Sequence, residues 1–218
     1  MRRARLCFSL VLSLAAAWSC AGAAEVADVA IPHSPEAVRR GAEVIANVCM
    51  ACHNLKYVKY GNLAQLGFSK KELDTLRSGK SPKKALLAAM SPDMLRDSFG
   101  KLPPDLSLMA HAREGGPAYI YALLTGFYQK PDGSVDNHAF PGIKMPDVLN
   151  YSGATDAAQR APLQKQAKDA AAFLDWAADP HAAERHHLGY YVMAYLVVLT
   201  ILLYLTKHRI WTRLGRET

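Results

Sequence analysis

The sequence has few cysteines, and their positions exclude a disulfide-rich domain. Of four cysteines, Cys7 and Cys20 lie within the first 24 residues, which leaves Cys49 and Cys52 for the rest of the chain. Two cysteines this close together enclose too small a loop to act as a useful structural cross-link. An exported domain normally uses cysteine in disulfides, so this pair is expected to serve some other chemistry.

The chain also lacks a strong net charge once its two ends are set aside. The formal charge of the whole sequence is +7, but residues 25–206 hold 19 Lys and Arg against 18 Asp and Glu. A segment with a net charge of +1 does not have the basic surface that nucleic-acid binding requires. We therefore predict no nucleic-acid partner, and no acidic run marks a docking site for a basic protein.

Two segments lack charged residues altogether. Residues 6–18 are apolar, follow three arginines and precede small residues, which is typical of a secretory signal peptide; a retained N-terminal anchor is the alternative. Leu188–Thr206 is uncharged and long enough to cross a bilayer core of ~30 Å as a helix. The basic residues that follow this run predict a cytoplasmic tail.

These signals predict a single-pass protein of the bacterial inner membrane, with its main domain in the periplasm and its C-terminus in the cytoplasm. The predicted order is a cleaved signal peptide over residues 1–24, an exported domain over 25–186, a transmembrane helix over 187–206 and a basic tail over 207–218.

Cys49, Cys52 and His53 form the motif C-x-x-C-H within "VCMACHNLKY". A thioredoxin-like dithiol would follow a strand, whereas the residues before Cys49 have apolar positions at helical spacing. A zinc site would need a fourth ligand, usually from a second cysteine pair. The motif is the attachment signature of c-type haem, so we predict one covalently bound heme c with His53 as the proximal iron ligand.

The second axial ligand is expected among the methionines and histidines that follow. Met145 lies in "FPGIKMPDVL", where proline and glycine indicate a loop that could bring a thioether to the iron. His/Met ligation suits single-electron transfer, whereas an open sixth position would suit a haem enzyme or gas sensor. The other candidates, which are more typical of core packing or surface positions, are Met90, Met94, Met109, His111 and His138.

Helical patterns dominate the exported domain, and no long alternating strand is apparent. We predict helices over Ala37–Val48, Lys70–Arg77, Pro82–Ala89, Pro117–Thr125 and Pro162–Ala177, with Phe173 and Trp176 as packing residues of the last one.

From about Arg39 to Trp211 the sequence resembles the cytochrome c1 family, the haem c subunits of cytochrome bc1 (quinol–cytochrome c reductase) complexes. The matching segments are "RRGAEVIANVCMACHNLKYVKY", "PPDLS" followed by "HAREGGPAYIYALLTGFY", "IKMPDVL" and "AAFLDWAADPHAAERHHLGYYVMAYL". The resemblance implies a mainly α, class I cytochrome c-type domain with inserted loops, followed by one C-terminal transmembrane helix.

The same resemblance implies roles for individual residues. It assigns the thioether bonds to Cys49 and Cys52 and the iron ligands to His53 and Met145. It further implies that Pro103 and Pro104 line the haem pocket, and that Arg113 and Tyr119 meet the haem propionates. Asp147 and Val148 depart from the family, since many members have a second proline soon after the ligand methionine.

The resemblance also implies partners. These are a cytochrome b, a Rieske iron–sulfur subunit as electron donor and a soluble or anchored cytochrome c as acceptor, in a complex that is expected to be dimeric. A free-standing membrane-anchored cytochrome c that shuttles electrons to a terminal oxidase is the alternative. The "PPDLS" and "AREGG" segments argue against it, since a simple shuttle has less need of inserted segments.

Overall fold

The computed structural model describes residues 29–214, so the predicted signal peptide and the last four residues of the tail lie outside the described part. The chain divides into two units between Ala178 and Asp179. The first unit is built mostly of helices with two small sheets, and the second is dominated by one long helix. The predicted mainly α class with a C-terminal apolar helix is confirmed.

The first unit combines helices with two small antiparallel sheets of two strands each. In chain order the helices and strands are α1 (Pro35–Asn47), β1 (Leu55–Lys59), α2 (Lys70–Arg77), β2 (Ala85–Leu86), α3 (Pro92–Phe99), α4 (Met109–Ala112), α5 (Gly116–Thr125), β3 (Phe127–Gln129), β4 (Val135–Asn137) and α6 (Ala157–Ala178). Strand β1 pairs with β2, and β3 pairs with β4. Short 3₁₀ helices lie between these elements at Cys49–Ala51, Tyr60–Leu66 and Tyr151–Gly153.

Helix α1 begins where the sequence offers a strong start signal. The Ser34 hydroxyl accepts a hydrogen bond from the Ala37 backbone N–H at 3.3 Å, and Pro35 occupies the first helical position. Apolar side chains at helical spacing, including Val38 and Ile45, are then buried on one face. The helix ends at Asn47, directly before the cysteine motif.

Helices α1 and α6 form the main packing contact of the domain. A row of small buried residues on α6, including Ala167 and Ala170, allows close approach, and Phe173 is fully buried. The approach is closest at Gly41, where an added Cβ would lie 1.9 Å from the backbone oxygen of Asp169. Beside this contact, the Arg40 guanidinium donates two hydrogen bonds of 2.8 Å to the buried Asp169 carboxylate.

The predicted helix over Pro82–Ala89 is wrong. Its backbone pairs with the 50–61 segment instead, since the Tyr60 N–H donates to Lys84 O at 3.1 Å and the Ala89 N–H donates to Met50 O at 2.8 Å. Leu86 is buried opposite Leu55 of β1. These long-range hydrogen bonds outweigh a helical apolar pattern that is short and begins at a proline.

One further helix and one helix start also differ from the prediction. Helix α3 is not among the predicted helices, although the Ser91 hydroxyl accepts from the Met94 N–H and Pro92 stands at its start. Helix α6 begins five residues before Pro162, because the Asp156 carboxylate accepts from the Gln159 N–H at 2.8 Å. This cap allows the helix to start ahead of its predicted first residue.

The second unit contains α7 (Ala182–Leu214), a helix of 33 residues. Its Glu184–Leu214 portion is the one stretch within residues 29–214 that is long and apolar enough to cross a membrane. At 1.5 Å per residue the whole helix is about 50 Å long, which exceeds the hydrocarbon core. The parts of the helix that exceed this length lie at its two ends, which carry charged residues such as Arg185 and Arg213.

Replacing Gly41 by alanine should force α1 and α6 apart, because the new Cβ would overlap the backbone of Asp169. We expect the free energy of unfolding to fall by about 1–3 kcal/mol, as for other overpacked cores. Guanidinium unfolding of the full chain in detergent, followed by near-ultraviolet circular dichroism, measures this change. Gly189→Ala is the matched control, since an added Cβ there meets nothing within 4 Å. Equal unfolding midpoints for the two variants would contradict the close approach.

Candidate functional site

The cysteine motif forms a tight turn that follows α1 after Val48. The N–H groups of Cys52 and His53 both donate to the Cys49 carbonyl, at 3.1 and 2.9 Å. This winding brings all three side chains to the wall of one cavity. The position of the turn is therefore set by α1, which packs on α6 immediately before it.

The cavity has a volume of about 400 Å³, within the range of small-molecule and cofactor pockets. Most of its wall is apolar, with contributions from α1, α5 and α6. All eight residues that the sequence predicts for the site line this one cavity, namely Cys49, Cys52, His53, Pro103, Pro104, Arg113, Tyr119 and Met145.

The imidazole of His53 is held by the backbone of the "PPDLS" segment. Its Nδ1 lies 2.8 Å from the carbonyl oxygen of Pro104. Because a carbonyl can only accept, this hydrogen bond places the proton on Nδ1 and leaves the Nε2 lone pair free to bind a metal. Burial lowers the pKa of His53, which also favours the neutral form that a metal ligand requires.

The "PPDLS" segment is itself clamped to the residues that follow His53. The Asp105 carboxylate accepts from the N–H groups of Lys56 and Ser107, at 3.1 and 2.9 Å. The fully buried Ser107 hydroxyl accepts from the Tyr57 N–H, also at 3.1 Å. The orientation of His53 therefore depends on a network of backbone hydrogen bonds rather than on one contact.

The environment of the two thiols does not suit redox exchange between them. Burial, followed by the neighbouring Cys52, raises the pKa of Cys49 to about 12. A reactive dithiol needs a thiol whose pKa is lowered towards neutrality. The environment of Cys49 therefore argues against the thioredoxin-like interpretation of the motif.

Met145 lies in an irregular loop, as its flanking proline and glycine predict, and it lines the cavity. Met109 is the other methionine on the cavity wall. It begins α4, three residues after Leu106, whose N–H donates to Asn54 O at 2.8 Å. Met109 thus belongs to the segment that is tied to the His53 side, whereas Met145 arrives on a separate loop.

The remaining ligand candidates are engaged elsewhere. Met90 lies 3.8 Å from the sulfur of Cys52 but does not line the cavity, and Met94 is largely exposed on α3. His111 lies 3.6 Å from the Asp175 carboxylate. The His138 ring stacks on Tyr128 with centroids 4.1 Å apart.

Two polar residues that the sequence analysis missed organise the loop that leads to Met145. The buried Asp136 carboxylate accepts from the Gly142 N–H at 2.7 Å and pairs with the Lys130 ammonium at 2.8 Å. The fully buried Asn137 side chain accepts from two N–H groups of the loop and donates to Leu123 O on α5. The "DN" pair, a common turn signal, could have indicated them.

Asp147 holds the other end of the methionine loop. Its carboxylate accepts from the N–H groups of Tyr151 and Ser152, at 3.0 and 2.7 Å. The residue that departs from the family's proline pattern thus has a structural role of its own. The loop is fixed on both sides of Met145 by carboxylate and amide side chains.

Arg113 reaches the cavity through a turn that needs glycine. Gly115 and Gly116 follow it with φ values of 82° and 54°, in the left-handed region that glycine adopts readily. Helix α5 begins there and carries Tyr119 on its first turns. Arg113 makes no ion pair within residues 29–214, so it is a cation available to an anionic group.

This donor set fits heme c. Two thiols and an imidazole lie on one turn, a thioether arrives from a separate loop, and the wall between them is apolar. The cation Arg113 and the phenol Tyr119 also line the cavity and could bind the carboxylates of a porphyrin. The residues present can therefore hold the predicted group.

Comparison with known proteins gives consistent relatives. A sequence profile of the Cytochrome C1 family matches residues 26–86 and 90–214. The chain is 32% identical over 222 residues to the cytochrome c1 of Rhodospirillum rubrum and 30% identical over 232 residues to that of Cereibacter sphaeroides, covering 80% of each protein in both cases. It is also 32% identical over 225 residues to the cytochrome b/c1 of Bradyrhizobium diazoefficiens, where 80% of this chain spans 33% of that longer protein.

The Asp136 carboxylate should make the stability of the site depend on pH under acid conditions. Its hydrogen bonds with Lys130, Gly142 and Asn137 lower its pKa to about 2 in the folded chain, against about 4 when unfolded. Its contribution is therefore present above pH ~4 and is lost as the pH falls from ~4 to ~2.

We expect Asp136→Asn to be less stable than the natural chain at pH 7, with the difference shrinking as the pH falls towards 2. Urea unfolding midpoints of the full chain in detergent, taken from pH 7 to pH 2, measure this. Asp93→Asn is the control, since that side chain is 88% exposed on α3. A destabilisation that stays constant over the whole pH range would show that charge on Asp136 is not the cause.

Proposed function

The chain belongs to the cytochrome c1 family, and on that premise we propose that it passes single electrons from a Rieske iron–sulfur subunit to a cytochrome c, within a quinol–cytochrome c reductase. The observation that carries the proposal is the single cavity at which the cysteine turn, His53 and the Met145 loop meet. The chain is a heme c protein of electron transport that is anchored in a membrane.

When bound, the haem iron alternates between its ferric and ferrous states and so carries one electron at a time. The protein's own residues do the rest of the work. Cys49 and Cys52 would hold the group through thioether bonds, and His53, oriented by the Pro104 carbonyl, would supply an imidazole ligand. Met145 would supply a thioether ligand from its separate loop, a combination that suits electron transfer.

The hydrogen bond from His53 to Pro104 O has a further effect. A partner on the second ring nitrogen fixes the tautomer and raises the basicity of the ligating nitrogen. In this chain the partner is a backbone carbonyl that the Asp105 and Ser107 network holds in place. The apolar wall would exclude water from the group.

The proposed topology follows from the anchor. The cations near the end of α7, including Lys207 and Arg209, favour a cytoplasmic C-terminus under the positive-inside rule. The cavity-bearing domain then lies in the periplasm of a bacterial inner membrane. A signal peptide over residues 1–24 would support the same orientation.

The relatives favour membership of a larger complex over a free-standing shuttle. Two of those described above are named cytochrome c1, and the third joins b and c1 in its name. We therefore propose a cytochrome b and a Rieske subunit as permanent partners, and we expect the complex to be dimeric. Among these relatives, nothing supports an independent shuttle to an oxidase.

Purification through a C-terminal tag in mild detergent tests this assembly. We expect b-type haem in the reduced-minus-oxidised spectrum, together with quinol-dependent reduction of cytochrome c that an inhibitor of quinol oxidation blocks. A preparation that holds only c-type haem and has no such activity, in several detergents, would support the shuttle instead.

Replacing Met145 by leucine should remove the sixth ligand while preserving the volume of the side chain. We expect the reduced protein to bind carbon monoxide readily and its midpoint potential to fall, because an axial thioether favours the ferrous state. Met109→Leu is the matched control, since Met109 lines the same cavity from the His53 side. If Met109→Leu opened the site and Met145→Leu did not, the ligand assignment would be reversed.

Replacing Arg113 by glutamine should remove the cation proposed to meet a propionate. We expect a lower midpoint potential, because positive charge beside the group favours the reduced, less positive state. Redox titration measures this, and Arg96→Gln serves as the control because that guanidinium pairs with Asp93 on exposed α3. An equal potential in both variants would remove Arg113 from the site.

A further inference from the structure

The mouth of the cavity has an apolar patch between basic side chains. Leu102, Phe140 and Val148 line the cavity and remain 45%, 41% and 36% exposed. Lys101 and Lys144 line the same opening and are also exposed. An apolar centre with a polar rim is the usual composition of a protein docking surface. We call these five residues the mouth surface.

The charge of the mouth surface has one sign. Both of its charged side chains, Lys101 and Lys144, are cations. Arg113, the third cation on the cavity wall, is not part of the mouth surface, because it is proposed to meet a propionate. Within the described part of the chain, neither lysine has an ion-pair partner. The positive charge is local, because residues 25–206 carry a net charge of only +1.

The two lysines come from different chain segments at the opening. Lys101 precedes the Leu102–Pro104 segment, whose last carbonyl holds His53. Lys144 directly precedes Met145 on the other loop. A partner that covers the apolar centre therefore meets cations from both segments, and like charges in such an interface are costly.

We propose that the mouth surface docks an electron-acceptor protein whose own contact face is acidic. The proposal rests on the proposed function, and adds to it the chemical class of the acceptor. Opposite charges on the two rims would steer the encounter, and apolar contact between the two centres would bring the redox groups close. A basic acceptor face would instead be repelled by Lys101 and Lys144.

The test compares two acceptors of the same fold and opposite charge. One is a basic class I cytochrome c, and the other is the same protein after succinylation of its lysines. The detergent-solubilised complex, purified with the full chain, is assayed for kcat/KM with each acceptor at 10, 50 and 200 mM salt. The variants are Lys101→Glu/Lys144→Glu and, as a control with the same change in total charge, Lys70→Glu/Lys71→Glu on exposed α2.

We expect the natural complex to use the succinylated acceptor with a kcat/KM that falls steeply as salt rises. The mouth variant should lower that kcat/KM at 10 mM salt about tenfold or more and raise the value for the basic acceptor. The control variant should stay within about twofold of the natural complex for both acceptors. Comparing each variant with the natural complex cancels any change in potential caused by succinylation.

Other outcomes would overturn the proposal. Preference for the basic acceptor, or mouth and control variants with equal effects, would show that these lysines do not select the partner. Slower quinol-driven reduction of the haem itself, with normal acceptor turnover, would assign the surface to the electron donor. A complex without quinol-driven haem reduction in the natural chain would instead reject the proposed function, which separates the two failures.

Discussion

The contact between α1 and α6 is the constraint on which the rest of the site depends. Gly41 lets the two helix backbones approach, and the paired Arg40 and Asp169 side chains border the same contact. Since only Val48 separates the end of α1 from Cys49, any shift or rotation of this helix would move the cysteine turn with it. The packing of α1 on α6 therefore decides where the cysteine turn and His53 lie.

The two sides of the cavity are positioned by different means. The His53 side combines the two cysteines, a turn shortly after α1 and a hydrogen-bonded clamp from Asp105 and Ser107. The Met145 side is an irregular loop that depends on polar side chains before and after it. A loop that is held by a few side-chain hydrogen bonds opens at a lower free-energy cost than a packed helix. We therefore expect the Met145 side of the cavity to be less stable than the His53 side.

The sequence predicted local features better than long-range ones. Helix α2 has the bounds expected from its pattern, because the serine before it and the glutamate in its first turn form a capping box. The loop around Met145 was expected from proline and glycine alone. The eight site residues meet at one cavity. Four of them, Pro103, Pro104, Arg113 and Tyr119, were named from family resemblance alone, and the roles of all eight remain predictions.

The long-range features could not be read from the sequence for physical reasons. The apolar pattern over Pro82–Ala89 is compatible with a helix, and only pairing with the 50–61 segment decides against it. Asp136 and Asn137 carry no signal beyond that of an ordinary turn, and their importance comes from Gly142 and Leu123, to which the fold brings them. The start of α6 ahead of Pro162 likewise depends on the hydrogen bond from the Gln159 N–H to the Asp156 carboxylate, whereas a proline is more typical of the first helical position.

The way in which Asp136, Asn137 and Asp147 hold the methionine loop has a consequence for the order of unfolding. The free energy needed to open a segment falls when its contacts are few and local. The loop can detach while α1, α6 and the cysteine turn remain folded, since its anchors are separate from their packing. If Met145 is an iron ligand, opening of this loop would remove that ligand before the rest of the fold is lost. We therefore expect heat or acid to expose the site to external ligands before α1 and α6 unfold.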